Sequence, residues 1–282
     1  MDWEAYWFMF PVALAVATLA NATGIEGATF FSPIFILLLK LDPRIAIGTA
    51  LITEVFGFGS GVSAYMRRKL IDYRLAGQLL VVTVPLAIIG SYFAGQISPI
   101  VLKSIFGAGL LLIGISFFLH SEAEHSPTMA STSISAGIEP RTHVTAAGET
   151  FHYVTCNQTE GHIITGIGGI FMGLIGSGQG EMNGYFFLRR CRVPGKIALG
   201  TGAFIVAITA LAASIGHTIG FIASGGDVLN QVLSLVIYTV PAVIIGGQLG
   251  PALAAQMETH KVERLLAVVF IIIGVITLWT IF

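Results

Sequence analysis

The stretches Asn21-Ala22-Thr23-Gly24-Ile25-Glu26-Gly27 and Gly173-Leu174-Ile175-Gly176-Ser177-Gly178-Gln179-Gly180 decide the fold. Each interrupts a long apolar segment, residues 6–39 in the first case and 162–188 in the second. As one helix, 6–39 would measure about 50 Å at 1.5 Å per residue, far beyond a hydrocarbon core of roughly 30 Å. Glycine-rich backbone in mid-membrane is tolerated only where protein or a water-filled cavity satisfies its polar groups. Each stretch therefore reads as the bend of a re-entrant hairpin, two half-helices that enter the membrane and return to their own side.

Around these breaks the chain reads as an all-α polytopic membrane protein. Of its 282 residues, 55% are hydrophobic and only 10% charged, too few charges to cover a soluble surface. Six further apolar stretches, at about 44–66, 75–95, 99–119, 196–223, 229–253 and 262–282, are each long enough to span a bilayer. With 14 basic residues and a net charge of -1 there is no phosphate-tracking face, so no nucleic-acid partner is expected. Two cysteines, Cys156 and Cys191, make neither a disulfide framework nor a metal quartet, and no metal or cofactor is expected. The opening Met1-Asp2-Trp3-Glu4 is acidic where a signal peptide needs a basic start, so insertion through the chain's own spans is expected.

The chain carries a duplication. Ile45-Ala-Ile-Gly-Thr-Ala50 matches Ile197-Ala-Leu-Gly-Thr-Gly202 at an offset of 152, and Thr83-Val-Pro-Leu-Ala-Ile-Ile-Gly90 matches Thr239-Val-Pro-Ala-Val-Ile-Ile-Gly246 at an offset of 156. A four-residue insertion separates the two matches. Three regions follow: a first transmembrane repeat at 1–120, a polar connector at 121–160 and a second transmembrane repeat at 161–282, each repeat a broken hairpin plus three spanning helices. Residues 120–160 hold five of the fifteen acids. Within the connector, Arg141–Thr145 and Thr150–Thr155 alternate around Ala-Ala-Gly-Glu and read as a small β-hairpin. Pro85 and Pro241 are equivalent and are expected to kink matching helices.

Charge sets the topology. Arg67, Arg68, Lys69 and Arg74 form one basic cluster and Arg189, Arg190, Arg192 and Lys196 the other, and short basic loops stay in the cytoplasm. If each first segment simply crossed, the clusters would fall on opposite sides. If each returns, both lie inside and the repeats are inverted. The expected location is the cell membrane, multi-pass, with the N-terminus outside, the connector cytoplasmic and its cysteine reduced.

Inverted repeats with broken helices are transporter architecture, with the substrate near the midplane. A half-helix N-terminus offers free backbone N–H groups and partial positive charge, which suits a small anion. The candidate substrate residues are Asn21, Thr23, Gly24, Glu26, Gly27 and Thr49 in the first half. In the second they are Gly176, Gly178, Gln179, Gly180, Asn183 and Thr201. Glycines such as Gly169 and Gly173 also serve close helix packing. Glu26, Glu54 and Glu181 lie inside apolar segments, where an acid is costly and reads as a candidate for proton coupling. Three buried acids would also suit a cation carrier. From another class, Ser177 and His217 could form an intramembrane serine protease pair, although Ser177 belongs to the glycine pattern. His120, His125, His143, His152 and His162 border or lie in the connector without metal-ligand spacing and read as solvated residues.

The chain resembles the TauE/SafE sulfite exporter family of integral membrane proteins. The resemblance rests on Gly24-Ile-Glu-Gly-Ala-Thr-Phe-Phe-Ser-Pro33 with Ala46-Ile-Gly-Thr49, and on Gly173-Leu-Ile-Gly-Ser-Gly-Gln-Gly-Glu181 with Ala198-Leu-Gly-Thr201. It covers nearly everything except the connector. It implies a transporter, not an enzyme, exporting sulfite, an organosulfonate or another C2 organic acid across the cytoplasmic membrane. Glu26 and Gln179 interrupt the family's glycine runs, and Tyr185 stands where the first half has Pro33. The implied partners are a small anion and the lipid bilayer, with homo-oligomerisation left open.

Overall fold

A computed structural model of the chain describes residues 6–23, 25–120, 140–154, 157–254 and 259–281. The first hairpin comprises α1 (Met9–Thr23) and α2 (Ala28–Pro33), the latter running on as a π-helical segment, Ile34–Leu38. Three long helices follow: α3 (Pro43–Arg67), α4 (Tyr73–Gln96) and α5 (Pro99–His120). Two strands, β1 (Pro140–Val144) and β2 (Thr150–Val154), pair antiparallel with Val144 opposite Thr150. The second half repeats the helical order as α6 (Gln158–Ile175), α7 (Gln179–Gly184) with a π segment Tyr185–Arg190, α8 (Gly195–Ser224), α9 (Gly226–Ala254) and α10 (Thr259–Trp279).

Among the described residues five helices are long and apolar enough to cross a membrane, α3, α4, α5, α8 and α9. Their outward faces carry Val81, Ile88, Leu112, Ile219 and Ile237, apolar side chains that water would reject and lipid accepts. The chain is an all-α, multi-pass membrane protein.

The start and end signals are local. Asp42, Asp72 and Asn157 cap α3, α4 and α6 by accepting from Arg44, Leu75 and Thr159 N–H groups. Such caps satisfy donors that the first helical turn leaves unpaired. Both π segments end in the same way, followed by a non-glycine residue in the left-handed region, Lys40 (φ 53°) and Arg192 (φ 50°), 152 positions apart.

Contacts recur in both halves. α1 packs along α9 as α6 packs along α4, while α3 lies against α8 and α5 against α10. A Cβ on Gly90 would meet Ile170 O and Leu174 N of α6; one on Gly246 would meet Leu14 O and Thr18 N of α1, every position displaced by 156. Buried hydroxyl pairs obey the same rule: Thr53 Oγ1 lies 2.9 Å from Thr239 Oγ1, and Thr209 Oγ1 lies 3.2 Å from Thr83 Oγ1. The starts of α3 and α8 are 152 apart while Thr53 and its match Thr209 are 156 apart, so α8 holds an insertion of about one turn, which keeps side-chain faces aligned.

Helix directions follow from these contacts. Gly48 near the start of α3 abuts Phe221 near the end of α8, and Gly200 near the start of α8 abuts Leu70 just past α3, so the matched helices run antiparallel. Both basic clusters consequently share one end of the molecule. The β-hairpin covers that end: Ala146 N donates to Arg68 O, His143 Nε2 lies 2.8 Å from Lys69 O, and Lys196 Nζ donates to Glu149 at 2.8 Å. At the opposite end Arg44 donates to Ile97 O at 2.6 Å and Lys103 to Thr280 O at 3.4 Å.

The second break returns on itself. Glu160 at the start of α6 pairs with Arg190 at the end of the π segment, Oε1 to Nε 2.6 Å, and Gly161 faces the Phe186 ring. Two residues thirty positions apart would be about 45 Å apart along one helix.

The cysteine expected to stay reduced, that of the connector, falls outside the described residues, but the other cysteine bears on it. Cys191 is disulfide-bonded, and Phe151 and Tyr153 of the hairpin pack with Cys191 in one apolar cluster, which brings the connector alongside it. Cys156 lies outside the described residues.

Candidate functional site

The two breaks meet in the middle of the molecule. α6 ends at Gly176, left-handed at φ 76°, and α7 begins after Gly178, at φ 109°, conformations that side chains with a Cβ resist. Turning the chain there frees backbone donors. The amides of Gly178 and Gly180 converge on one acceptor, the fully buried carboxylate of Glu26 from the first break: Gly178 N donates to Oε2 at 2.8 Å and Gly180 N to Oε1. Hydrogen bonds to a charged group contribute about 1.5–3 kcal/mol each. Glu26 thus ties one bend to the other.

Two more carboxylates face Glu26, Glu181 from α7 and Glu54 from α3. Glu54 points toward the amides of Gly27 and Ala28 at the head of α2, and Glu181 toward Gly178, yet neither closes a hydrogen bond. Buried polar groups are normally satisfied, so two acids whose buried oxygens have no hydrogen-bond partner stand out among the described residues. Among the described residues no three His, Cys, Asp or Glu side chains are placed to hold a metal ion.

A cavity of about 50 Å³ leads to the second bend from the hairpin end. It is lined by Asn21, by Gly180, Asn183 and Gly184 of α7, by Phe58, Val62 and Tyr65 of α3, by Leu188, and by Ala198, Leu199, Gly202, Ala203 and Val206 of α8. The buried Asn183 accepts from Gln179 Nε2 at 2.8 Å and donates to Gly202 O at 3.4 Å. Asn21 Nδ2 donates to Ala17 O at 3.0 Å.

The remaining candidates divide. Gly27 caps α2, and Gly176 packs on Ile47, Leu51 and Ala28. Thr49 and Thr201, expected at the substrate, are buried but line no part of this cavity. Thr49 Oγ1 donates to Ile45 O within its helix, and Thr201 Oγ1 accepts from Asp72 N at 3.0 Å, holding the α3–α4 turn against α8. The side chain of Thr23 and all of Gly24 lie outside the described residues. His217 Nε2 lies 2.9 Å from Gly173 O, a bond directed to the backbone and not to Ser177. Gly169 and Gly173 do serve packing: a Cβ on Gly173 would sit 2.0 Å from Ala87 O.

Sequence reasoning missed the walls Phe58, Tyr65, Leu188 and Leu199, and it missed a polar knot at the mouth end. There Asp72 accepts from Arg141 Nη1 at 2.7 Å and Tyr153 OH at 2.8 Å. Burial opposes ionisation of Asp72, but the Leu75 amide, Arg141 and Tyr153 outweigh it and hold its carboxyl below the ordinary value. The expectation of merely solvated histidines also needs amendment: His143 and His162 reach Lys69 O and Gln78 O, and His152 pairs with Thr142. The side chains of His120 and His125 lie outside the described residues.

Spanning helices around buried carboxylates and a cavity are features of membrane transporters. The family model described as sulfite exporter TauE/SafE matches residues 9–277, and the chain belongs to that family. It is 27% identical over 270 residues to the probable membrane transporter protein YunE of Bacillus subtilis (strain 168), covering 93% of each chain. A shorter match, 33% identical over 76 residues, joins it to the probable membrane transporter protein YjnA of the same organism, covering 27% of this chain and 30% of that protein. No solved structure matches the chain.

Proposed function

We propose that the protein is a secondary transporter that exports a small anion, sulfite, an organosulfonate or another C2 organic acid, by alternating access with proton coupling. The observation that carries this reading is the cavity that Asn21, Gly180 and Asn183 line together. Gln179–Arg190 is one continuous helical run, so its dipole adds to those donors. The substrate residues are then Asn21, Gly178, Gly180 and Asn183, with Gly27, Gly176 and Gln179 shaping the bends and Thr23 and Gly24 kept as candidate substrate residues. Thr49 and Thr201 would hold the helices that move. Glu26, Glu54 and Glu181 would carry the proton.

The antiparallel run of matched helices supports two inverted repeats, 1–120 and 161–282, joined by the 121–160 connector. Basic residues gathered at the hairpin end support its placement in the cytoplasm, with the N-terminus outside. The disulfide at Cys191 pulls the other way, because oxidised cysteines persist outside the cytosol. Charge governs insertion and is given the greater weight. Labelling of cysteines introduced at Lys69 and Arg190 in intact cells decides: both protected supports the cytoplasmic assignment, both labelled reverses it.

The functional test is purified protein in liposomes with labelled sulfite and sulfonate, with and without an imposed pH gradient. Saturable flux that the gradient accelerates is expected. No flux of any tested anion would overturn the reading. The three adjacent acids favour a second reading, a cation carrier. Glu181→Gln separates the two: a cation site loses binding, whereas an anion site loses pH dependence.

A further inference from the structure

Glu26 occupies the donors that an anion would use. Its two oxygens take the amides of Gly178 and Gly180, and Gly180 also lines the cavity. We propose that Glu26 is a tethered anion held behind Gly180 at the edge of the cavity, and that the transported anion binds by displacing it from the Gly178 and Gly180 amides once a proton has neutralised it. This rests on the anion-transporter reading above and adds how the coupling works.

Charge makes the exchange obligatory. Among the described residues the titratable groups facing Glu26 are Glu181 from α7 and Glu54 from α3, both acids, and no basic side chain opposes them. His217 of α8 directs its Nε2 to Gly173 O. A second negative ion entering beside an ionised Glu26 would meet like charge without water to screen it. It would also find both amides taken. One proton on Glu26 removes the repulsion and weakens its hold, because a neutral acceptor forms weaker hydrogen bonds than a carboxylate. The first half provides the contrast. Position 26 aligns with Gly178, so the second bend has no side chain to return the cap, and the tether acts in one direction.

The test is binding of ethanesulfonate, a strong-acid anion whose own charge does not change near neutrality, to purified full-length protein between pH 5.5 and 8.5. Wild-type affinity should rise about tenfold for each unit fall in pH where Glu26 is ionised, the slope of one linked proton. Glu26→Gln, close in shape, should bind at least about tenfold tighter than wild type at pH 8.5 and lose the slope. A wild-type slope retained in Glu26→Gln overturns the proposal, as does weaker binding by that variant at every pH, the mark of a purely structural tie. Should Glu26→Gln fail to fold, wild-type binding that ignores pH overturns it instead. If folded wild type neither binds nor transports any sulfonate or sulfite, the anion reading itself fails, a result distinct from the others.

Discussion

The two ends of the molecule are built from matched residues and differ in what fills them. At the hairpin end, Gly180, Asn183, Leu188, Leu199 and Ala203 surround an open cavity. Their counterparts 152 positions earlier are Ala28, Phe31, Ile36, Ile47 and Leu51, and all five are buried in packed core. Phe221 completes that packing by lying over Gly48. On the proposed transporter reading, one scaffold holds an open route and a closed one at once. In alternating access the two ends exchange these states, so the plugged end maps the contacts that must break and the open end those that must form.

Making the open end resemble the closed one should have the largest effect. Asn183→Phe places the ring of Phe31 in the cavity and removes the acceptor of Gln179 Nε2 and the donor to Gly202 O. Flux should fall to background while the protein remains folded, checked by liposome uptake beside size-exclusion chromatography. Retained flux would show that this cavity is not the route.

The reverse change is costly to the fold. Phe31→Ala empties a fully buried site and should destabilise by about 3–5 kcal/mol, read as a fall in unfolding midpoint in detergent. It should also expose a cysteine introduced at Ile47 to aqueous thiol reagents from the end opposite the hairpin. No gain in labelling would mean that Phe31 does not seal this end.

At the open mouth, Arg141→Ala removes the ion-pair partner of Asp72 and should cost about 1–3 kcal/mol. The pH dependence has a definite sign. The carboxyl of Asp72 is held below 3.8, so the stability it contributes is complete above that value and is lost as pH falls through its lower folded one. The variant should begin to lose hairpin contacts at higher pH than wild type, measured by protease cleavage of the 121–160 connector across pH 3–6.

The smallest effect tests the symmetry itself. Thr53→Val and Thr83→Val each remove one of the two related hydroxyl pairs, Thr53 with Thr239 and Thr83 with Thr209. Each should cost about 1 kcal/mol, and the two costs should agree within about half of that. Unequal losses would show that one pair lies in a contact the other half lacks.

The breaks, the spans and the β-hairpin were legible because each has a local cause: glycine where backbone must turn, apolar length where lipid is crossed, alternation around a turn. The hairpin strands fall within a residue of expectation. The cavity walls were not legible, since Tyr65, Leu188 and Leu199 are apolar residues in apolar helices, and only tertiary packing separates a wall from a lipid face. The duplicated Gly-Thr motif of Thr49 and Thr201 signals a repeated environment without saying whether that is substrate or helix contact. The knot of Asp72, Arg141 and Tyr153 joins residues 69 and 81 positions apart, and no spacing announces it. The π segments have no sequence signature of their own. Glu26 was legible as a candidate from its depth, but its grip on the opposite bend needed coordinates.

An experimental structure of the protein with ethanesulfonate bound tests the central claim most directly. The expected result is sulfonate oxygens on the Gly178 and Gly180 amides, close to Asn21 and Asn183, with the Glu26 carboxylate moved away from both. A sulfonate bound elsewhere while Glu26 keeps its two amides would contradict it, as would straight helices running through both glycine stretches.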